Sequence, residues 1–176
     1  MTSHTYLISL YFDEQTNQWL SHLMKRISKK TGNDYMLAHQ IPPHLTVAML
    51  KSNDSTTLCE KLQDFATSLS SEKLTIASVG MFRTSVVFLQ PVLNSYLSQL
   101  SLSIHHTFSK EQADNSRCVP YQWIPHISLA KHLSPKQQLD AISILQSEHF
   151  PRRIKVCNIS LSKTKPYEDI MVISLS

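Results

Sequence analysis

Pro43-His44-Leu45-Thr46-Val47-Ala48 returns 82 residues later as Pro125-His126-Ile127-Ser128-Leu129-Ala130. Each hexapeptide alternates polar and apolar side chains from its histidine onward, the period of a β-strand, in which residues i and i+2 leave the same face. Each therefore aims an imidazole and a hydroxyl at one spot, His44 with Thr46 and His126 with Ser128. Leu45, Val47, Ile127 and Leu129 face the other side. The tripeptide His-x-Ser/Thr alone carries little weight, because it also occurs as His105-His106-Thr107 and His132-Leu133-Ser134. The first of these lies in a stretch of helical periodicity, where residues two apart do not share a face, and the second runs into a helix start. Both read as structural.

Working outward from the first hexapeptide, Leu7 to Phe12 reads as a strand, and Asp13 caps a helix that runs to about Lys30 and ends at Gly32. A loop passes Pro42-Pro43 into the strand His44 to Leu50. A helix from Thr56 to Leu69 and a strand from Lys73 to Val79 follow. After Gly80 the same order repeats: a strand at Val86 to Gln90, a helix from Leu93 to Ser109, and a strand from Trp123 to Lys131. A helix from Pro135 to Glu148, opened by Ser134, and a strand from Lys155 to Ser162 complete the second set. Asp169 to Leu175 forms a last strand. The first strand of each set and the histidine-bearing strand of each set are both offset by about eighty residues. The chain is thus expected to be an internally duplicated α/β (α+β) protein, with β-α-β-α-β lobes at about 5–80 and 81–176 facing each other across a cleft.

With 176 residues and 41% hydrophobic content, the chain suffices for one domain with a shared core. Its 17% charged fraction is no signature of disorder. A net charge of +4 mildly favours an anionic partner. The densest basic stretches, Lys25-Arg26 with Lys29-Lys30 and Arg152-Arg153 with Lys155, read as solvated faces. Met1 to Ser9 has no export pattern, and no apolar run is long enough to span a bilayer. Cys59, Cys118 and Cys157 are widely spaced and form no C-x-x-C pair, so neither a disulfide framework nor a zinc knuckle is suggested and a reducing cytoplasm is expected. With two glycines in the chain, no phosphate-cradling glycine loop is available.

Two imidazoles and two hydroxyls around one centre form the set that phosphodiester cleavage needs. One group deprotonates the attacking oxygen, another protonates the leaving oxygen, and hydroxyls donate to the phosphoryl oxygens. Histidine performs the first two tasks near neutral pH. Metal ligation is the competing use of two histidines, but no Cys, Asp or Glu adjoins either motif at ligand spacing, so no metal or other cofactor is expected. Lys131 points away from the histidine face by strand parity and is left out of the site. Trp123 falls on that opposite face too, as a core position.

These paired motifs on a duplicated chain resemble the two-histidine (2H) phosphoesterase superfamily. The stretch Val79-Gly80-Met81-Phe82 with Val86-Val87-Phe88-Leu89-Gln90-Pro91 is similar to the strand pair joining the lobes in the bacterial 2′-5′ RNA ligase-like branch. Ser162-Lys163, Tyr167 and a final strand resemble that branch's closing hairpin. The resemblance implies antiparallel-rich sheets facing a central cleft with helices outside. It also implies hydrolysis of 2′,3′-cyclic phosphates on RNA or nucleotides, or of 2′-5′ linkages, with reverse ligation as a side activity. His44 and His126 become the catalytic acid–base pair, and Thr46 and Ser128 the phosphate ligands. Lys163 becomes a contact for a second phosphate and Tyr167 a platform for a base, the alternatives being a solvated hairpin Lys and a core Tyr.

Two departures bear on this. The second motif ends in Lys131, and the hairpin carries Lys163, where that branch has Arg; Lys keeps the charge and loses the bidentate fork. Specificity is expected from the loops Asn33 to Gln40 and Lys110 to Arg117. The self-contained core points to a monomer whose partner is its RNA or nucleotide substrate. A non-catalytic RNA- or nucleotide-binding module with the same fold is the main competing reading.

Overall fold

The computed structural model describes residues 3–83, 85–113 and 117–176, so the centre of the expected Lys110 to Arg117 loop lies outside the described residues. The first half contains β1 (His4–Phe12), α1 (Glu14–Thr31), α2 (Tyr35–Ala38), β2 (Leu45–Ser52), α3 (Ser55–Ala66) and β3 (Glu72–Phe82). The second contains β4 (Val86–Pro91), α4 (Ser95–Thr107), β5 (Ile127–Ala130), α5 (Pro135–Leu145), β6 (Arg152–Thr164) and β7 (Tyr167–Ser174). The helix ends follow their local chemistry. Asp13 accepts from the Thr16 N–H to open α1, and Gly32, at φ 69°, closes it with its N–H on the Ser28 carbonyl. Ser134 and Gln137 form a reciprocal capping box around Pro135 at the start of α5.

The stretches leading into the two motif strands differ from the sequence expectation. The strand expected from Trp123 narrows to Ile127–Ala130, because Tyr121 takes a positive φ of 65° and Pro125 has no N–H to give a ladder. A single helical turn, α2, occupies part of the loop expected before Pro42. Its capping residue Asp34 makes no side-chain bond to it, so no cap signal marked it.

All strand pairings are antiparallel, in the order β1-β2-β5-β4-β3-β6-β7, and β1 also pairs with β6. Six strands thus close into a ring, with β7 added beside β6. The halves interlock: β3 pairs with β4 and β6 pairs with β1, so each half lends its third strand to the first strand of the other. On the outer face Ile8, Leu10, Leu45, Val47, Leu89, Leu129 and Leu161 join Leu20, Leu23, Leu58, Leu97, Leu100 and Leu145 from the helices in one buried cluster. That arrangement leaves the other strand face, with Ser9, Tyr11, Ser160 and Ser162, lining the inside.

Matched irregularities sit in the two motif strands. Opposite β1, Ala48 pairs with Ile8 and Thr46 with Ser9, leaving Val47 as the extra residue. Opposite β4, Ala130 pairs with Val87 and Ser128 with Phe88, leaving Leu129 extra. Such bulges shift side-chain parity beyond them by one residue. The motif's histidine and hydroxyl face inward, while its last three apolar residues, Val47-Ala48 and Leu129-Ala130 among them, all reach the core.

Candidate active site

β2 and β5 meet at a single pair, Leu45 opposite Ile127, the residues that immediately follow the two histidines. His44 and His126 enter the inner face there in the same conformation. The Nδ1–H of His44 donates to the Pro42 carbonyl at 2.8 Å, and that of His126 to the Ile124 carbonyl at 2.8 Å. A carbonyl can only accept, so each Nδ1 carries the proton and each Nε2 is left with a lone pair for the cleft. The bonds differ from strand ladders: each imidazole reaches back two residues to a carbonyl beside or before a proline.

The two histidines share a tautomer but sit in different surroundings. His44 is 5% exposed, and burial, with the charge of Lys131 second, pulls its pKa down to about 4; Asp169 acts in the opposite direction. His126 is half-buried and is also lowered, by burial first and then by Lys131 and Arg117. Both imidazoles are therefore neutral at pH 7 in the unliganded cleft. Each is poised to accept a proton, and an anionic phosphate between them would favour protonation of one.

Thr46 and Ser128 lie on the inner face that the histidines enter, Thr46 opposite Ser9 and Ser128 opposite Phe88. Thr46 Oγ1 accepts from Ser9 Oγ at 3.5 Å, so its own hydroxyl proton remains for an oxygen in the cleft, and Ser128 is 5% exposed on the same face as Phe88. Lys131 corrects the sequence reading. The bulge at Leu129 sends Ala130 to the core and turns Lys131 inward, where its charge acts on both histidines. Its own pKa is lowered by burial, so an anion is the natural partner for its ammonium. Strand alternation gave the opposite orientation because a bulge leaves no mark on the apolar pattern.

Tyr167 and Lys163 separate. The Tyr167 ring lies 5.9 Å from the His44 ring at a 34° tilt. Lys163 pairs with the core-facing Tyr6, and strand alternation puts it on the face of Ile159 and Leu161, opposite Ser162. A network unseen in the sequence holds Tyr167: Tyr11 Oη donates to Asp169 Oδ1 at 2.6 Å, Ser162 Oγ donates to the same oxygen at 2.7 Å, and the Tyr11 and Tyr167 hydroxyls are 2.7 Å apart. Burial first, then the bond to Asp169, pushes the Tyr11 phenol well above its ordinary pKa, so it stays protonated as a donor. With these protons turned inward, Tyr167 offers the cleft a ring face. Tyr11 and Ser162 sit at inward positions, but only strand pairing across 150 residues of chain reveals their convergence with Asp169.

The other wall is apolar. Phe82 meets His126 edge-on at 4.9 Å and packs on Phe88 at 4.4 Å, and Phe88 is 5.3 Å from His126. A cavity of about 290 Å³ opens there between Phe82, Arg117, Val119, Gln122, Ile124 and His126. Trp123 is buried in the core cluster, as expected, although it lies before β5 and not on a strand. Among the described residues, no three His, Cys, Asp or Glu side chains converge as a metal-donor set, and no helix is long and apolar enough to cross a membrane.

The fold is that of known structures. LigT of E. coli in complex with 3′-AMP aligns with a TM-score of 0.64 and 15% identity, over 99% of each chain. The same protein with phosphate aligns at 0.59 and 16%, covering 100% of this chain and 99% of the other. TT0787 of Thermus thermophilus aligns at 0.63 and 16%, over 97% of each. No curated protein matches the chain in sequence. The family model of the 2′-5′ RNA ligase superfamily matches residues 13–168, which include both histidine motifs, the bulged strands and the start of the closing hairpin, and the chain belongs to that superfamily.

Proposed function

We propose that this chain is a metal-independent phosphodiesterase that opens 2′,3′-cyclic phosphates, or cleaves 2′-5′ linkages, of RNA or nucleotides in a reducing cytoplasm. The observation that carries this reading is the matched pair of imidazoles, each fixed through Nδ1–H to a carbonyl and each presenting Nε2 beside a hydroxyl. One Nε2 accepts the proton of the attacking water while the other, protonated once the phosphate is bound, donates to the departing ribose oxygen. Thr46, Ser128 and Lys131 hold the non-bridging oxygens and balance the charge that builds on them. The Tyr167 ring on one side and the cavity at Phe82 on the other suit a sugar and a base. The 3′-AMP and phosphate bound to LigT are ligands of this chemistry.

The test is turnover of 2′,3′-cyclic mononucleotides and 2′-5′-linked dinucleotides in EDTA. His44→Ala and His126→Ala should each lower kcat by about 10²–10⁴-fold, the scale of a lost general acid or base, with circular dichroism unchanged. Binding of cyclic nucleotide without turnover at every pH from 5 to 9 would instead establish a binding module.

A further inference from the structure

Away from the histidines, strand register gathers a group of cations that the sequence scatters. Lys73 on β3 stands directly opposite Lys155 on β6, and Arg153 stands opposite Thr75 one step along the same face. Leu74, Ile76, Ile154 and Val156 between them are buried, so alternation turns Lys73, Arg153 and Lys155 to the inner face, the face of Ser160 and Ser162 further along β6. The bulge that pairs Tyr11 with Asn158 and Phe12 with Val156 preserves that facing. All three cations are exposed.

Like charges directly opposite on neighbouring strands repel. None of the three forms an ion pair among the described residues. Two nearby carboxylates accept backbone N–H bonds, Asp13 from Thr16 and Glu72 from Lys73. At the N-terminal end of α1 the three residues also line, with Asp13, Thr16 and Trp19, a cavity of about 220 Å³. An exposed row of cations on one strand face, none of them in an ion pair among the described residues, suits a polyanion.

We propose that Lys73, Arg153 and Lys155 form an extended docking track for the phosphodiester backbone of single-stranded RNA, so that the preferred substrate is an RNA chain ending in the reactive phosphate rather than a mononucleotide. This rests on the reading of the histidine site as a phosphodiesterase. Ser160 lies five positions after Lys155 on β6, roughly 16 Å of strand. That is the reach of about five stacked nucleotides at ~3.4 Å apiece.

The deciding experiment measures binding and turnover separately. Binding uses a 5′-fluorescein oligoribonucleotide of eight nucleotides ending in a 3′-phosphate, followed by anisotropy across salt concentrations. The triple variant Lys73→Gln/Arg153→Gln/Lys155→Gln should bind more weakly, with a log–log salt slope smaller by about 2, at ~0.7 per lost phosphate contact. A control of equal charge change, Lys25→Gln/Lys29→Gln/Lys30→Gln on the outer helix α1, should match wild type. Turnover should show a raised KM for cyclic-phosphate-ended RNA in the track variant, with kcat/KM for a 2′,3′-cyclic mononucleotide unchanged. Equal affinity and salt slope in wild type and track variant, or equal losses in both triple variants, would overturn the track. Failure of wild type to turn over any cyclic phosphate would count against the histidine site alone, because the binding comparison needs no turnover.

Discussion

Among the described residues Lys131 is the one cation whose charge bears on both histidines, and it lowers each in the same direction as burial. Its removal makes protonation of either imidazole less unfavourable, so both pKa values should rise toward the ordinary histidine range. Lys131→Gln should therefore move the acid limb of the kcat/KM profile to higher pH, while Lys131→Arg, which keeps the charge, should leave it in place. For His44 burial is the larger cause, so its pKa should still lie below the ordinary value after the substitution. Titration of the imidazole Cε1 protons by NMR reads the same shift without any turnover. An unmoved limb and unmoved resonances would mean that Lys131 does not reach the histidines. With both rings neutral, the proposed mechanism needs substrate charge to generate the acid for the leaving group, and a lysine that stayed unpaired would oppose it.

The strands deliver these groups, and they show how far local pattern reaches. Histidine and hydroxyl two residues apart were legible because alternation is a property of one strand, and so were the caps at Asp13, Gly32 and Ser134. Lys131 was misread because the bulge at Leu129 depends on a partner strand. Tyr11 and Asp169 went unnoticed because β1, β6 and β7 meet only in the assembled sheet. Gly80 belongs to the same class: it looked like a boundary between halves, yet β3 runs through it to Phe82. Its role lies in what it faces, since a Cβ there would stand 2.5 Å from the Phe88 ring, which itself rests 5.3 Å from His126. Gly80→Ala should force that ring toward the histidine, destabilise the protein by about 1–3 kcal/mol, the scale of overpacking, and reduce kcat. Adding Phe88→Leu should recover the stability. Urea denaturation of the single and double variants reads this directly, and a neutral Gly80→Ala would show that Phe88 has room to yield.

The closed ring of strands buries His44 and half-buries His126, and the whole molecule carries that cost in acid. His44 has a pKa of about 4 when folded and an ordinary value near 6.5 when unfolded. Between these values the unfolded chain binds a proton that the folded chain refuses, so the stability contributed by neutral His44 is complete above pH 6.5 and is lost as pH falls toward 4. At about 1.4 kcal/mol per pH unit the loss is on the order of 3 kcal/mol, a large share of a typical domain's stability, and His126 adds to it in the same direction. Urea unfolding from pH 7.5 to 4.5 should show a falling free energy whose slope is smaller in His44→Gln, which has no proton to gain. A saturating phosphomonoester product should flatten the wild-type slope as well, because an anion between the rings raises their folded-state pKa values and binding stabilises the native state at the same time. Identical slopes for wild type and His44→Gln would place His44 in contact with water and remove the basis for a base held neutral by burial.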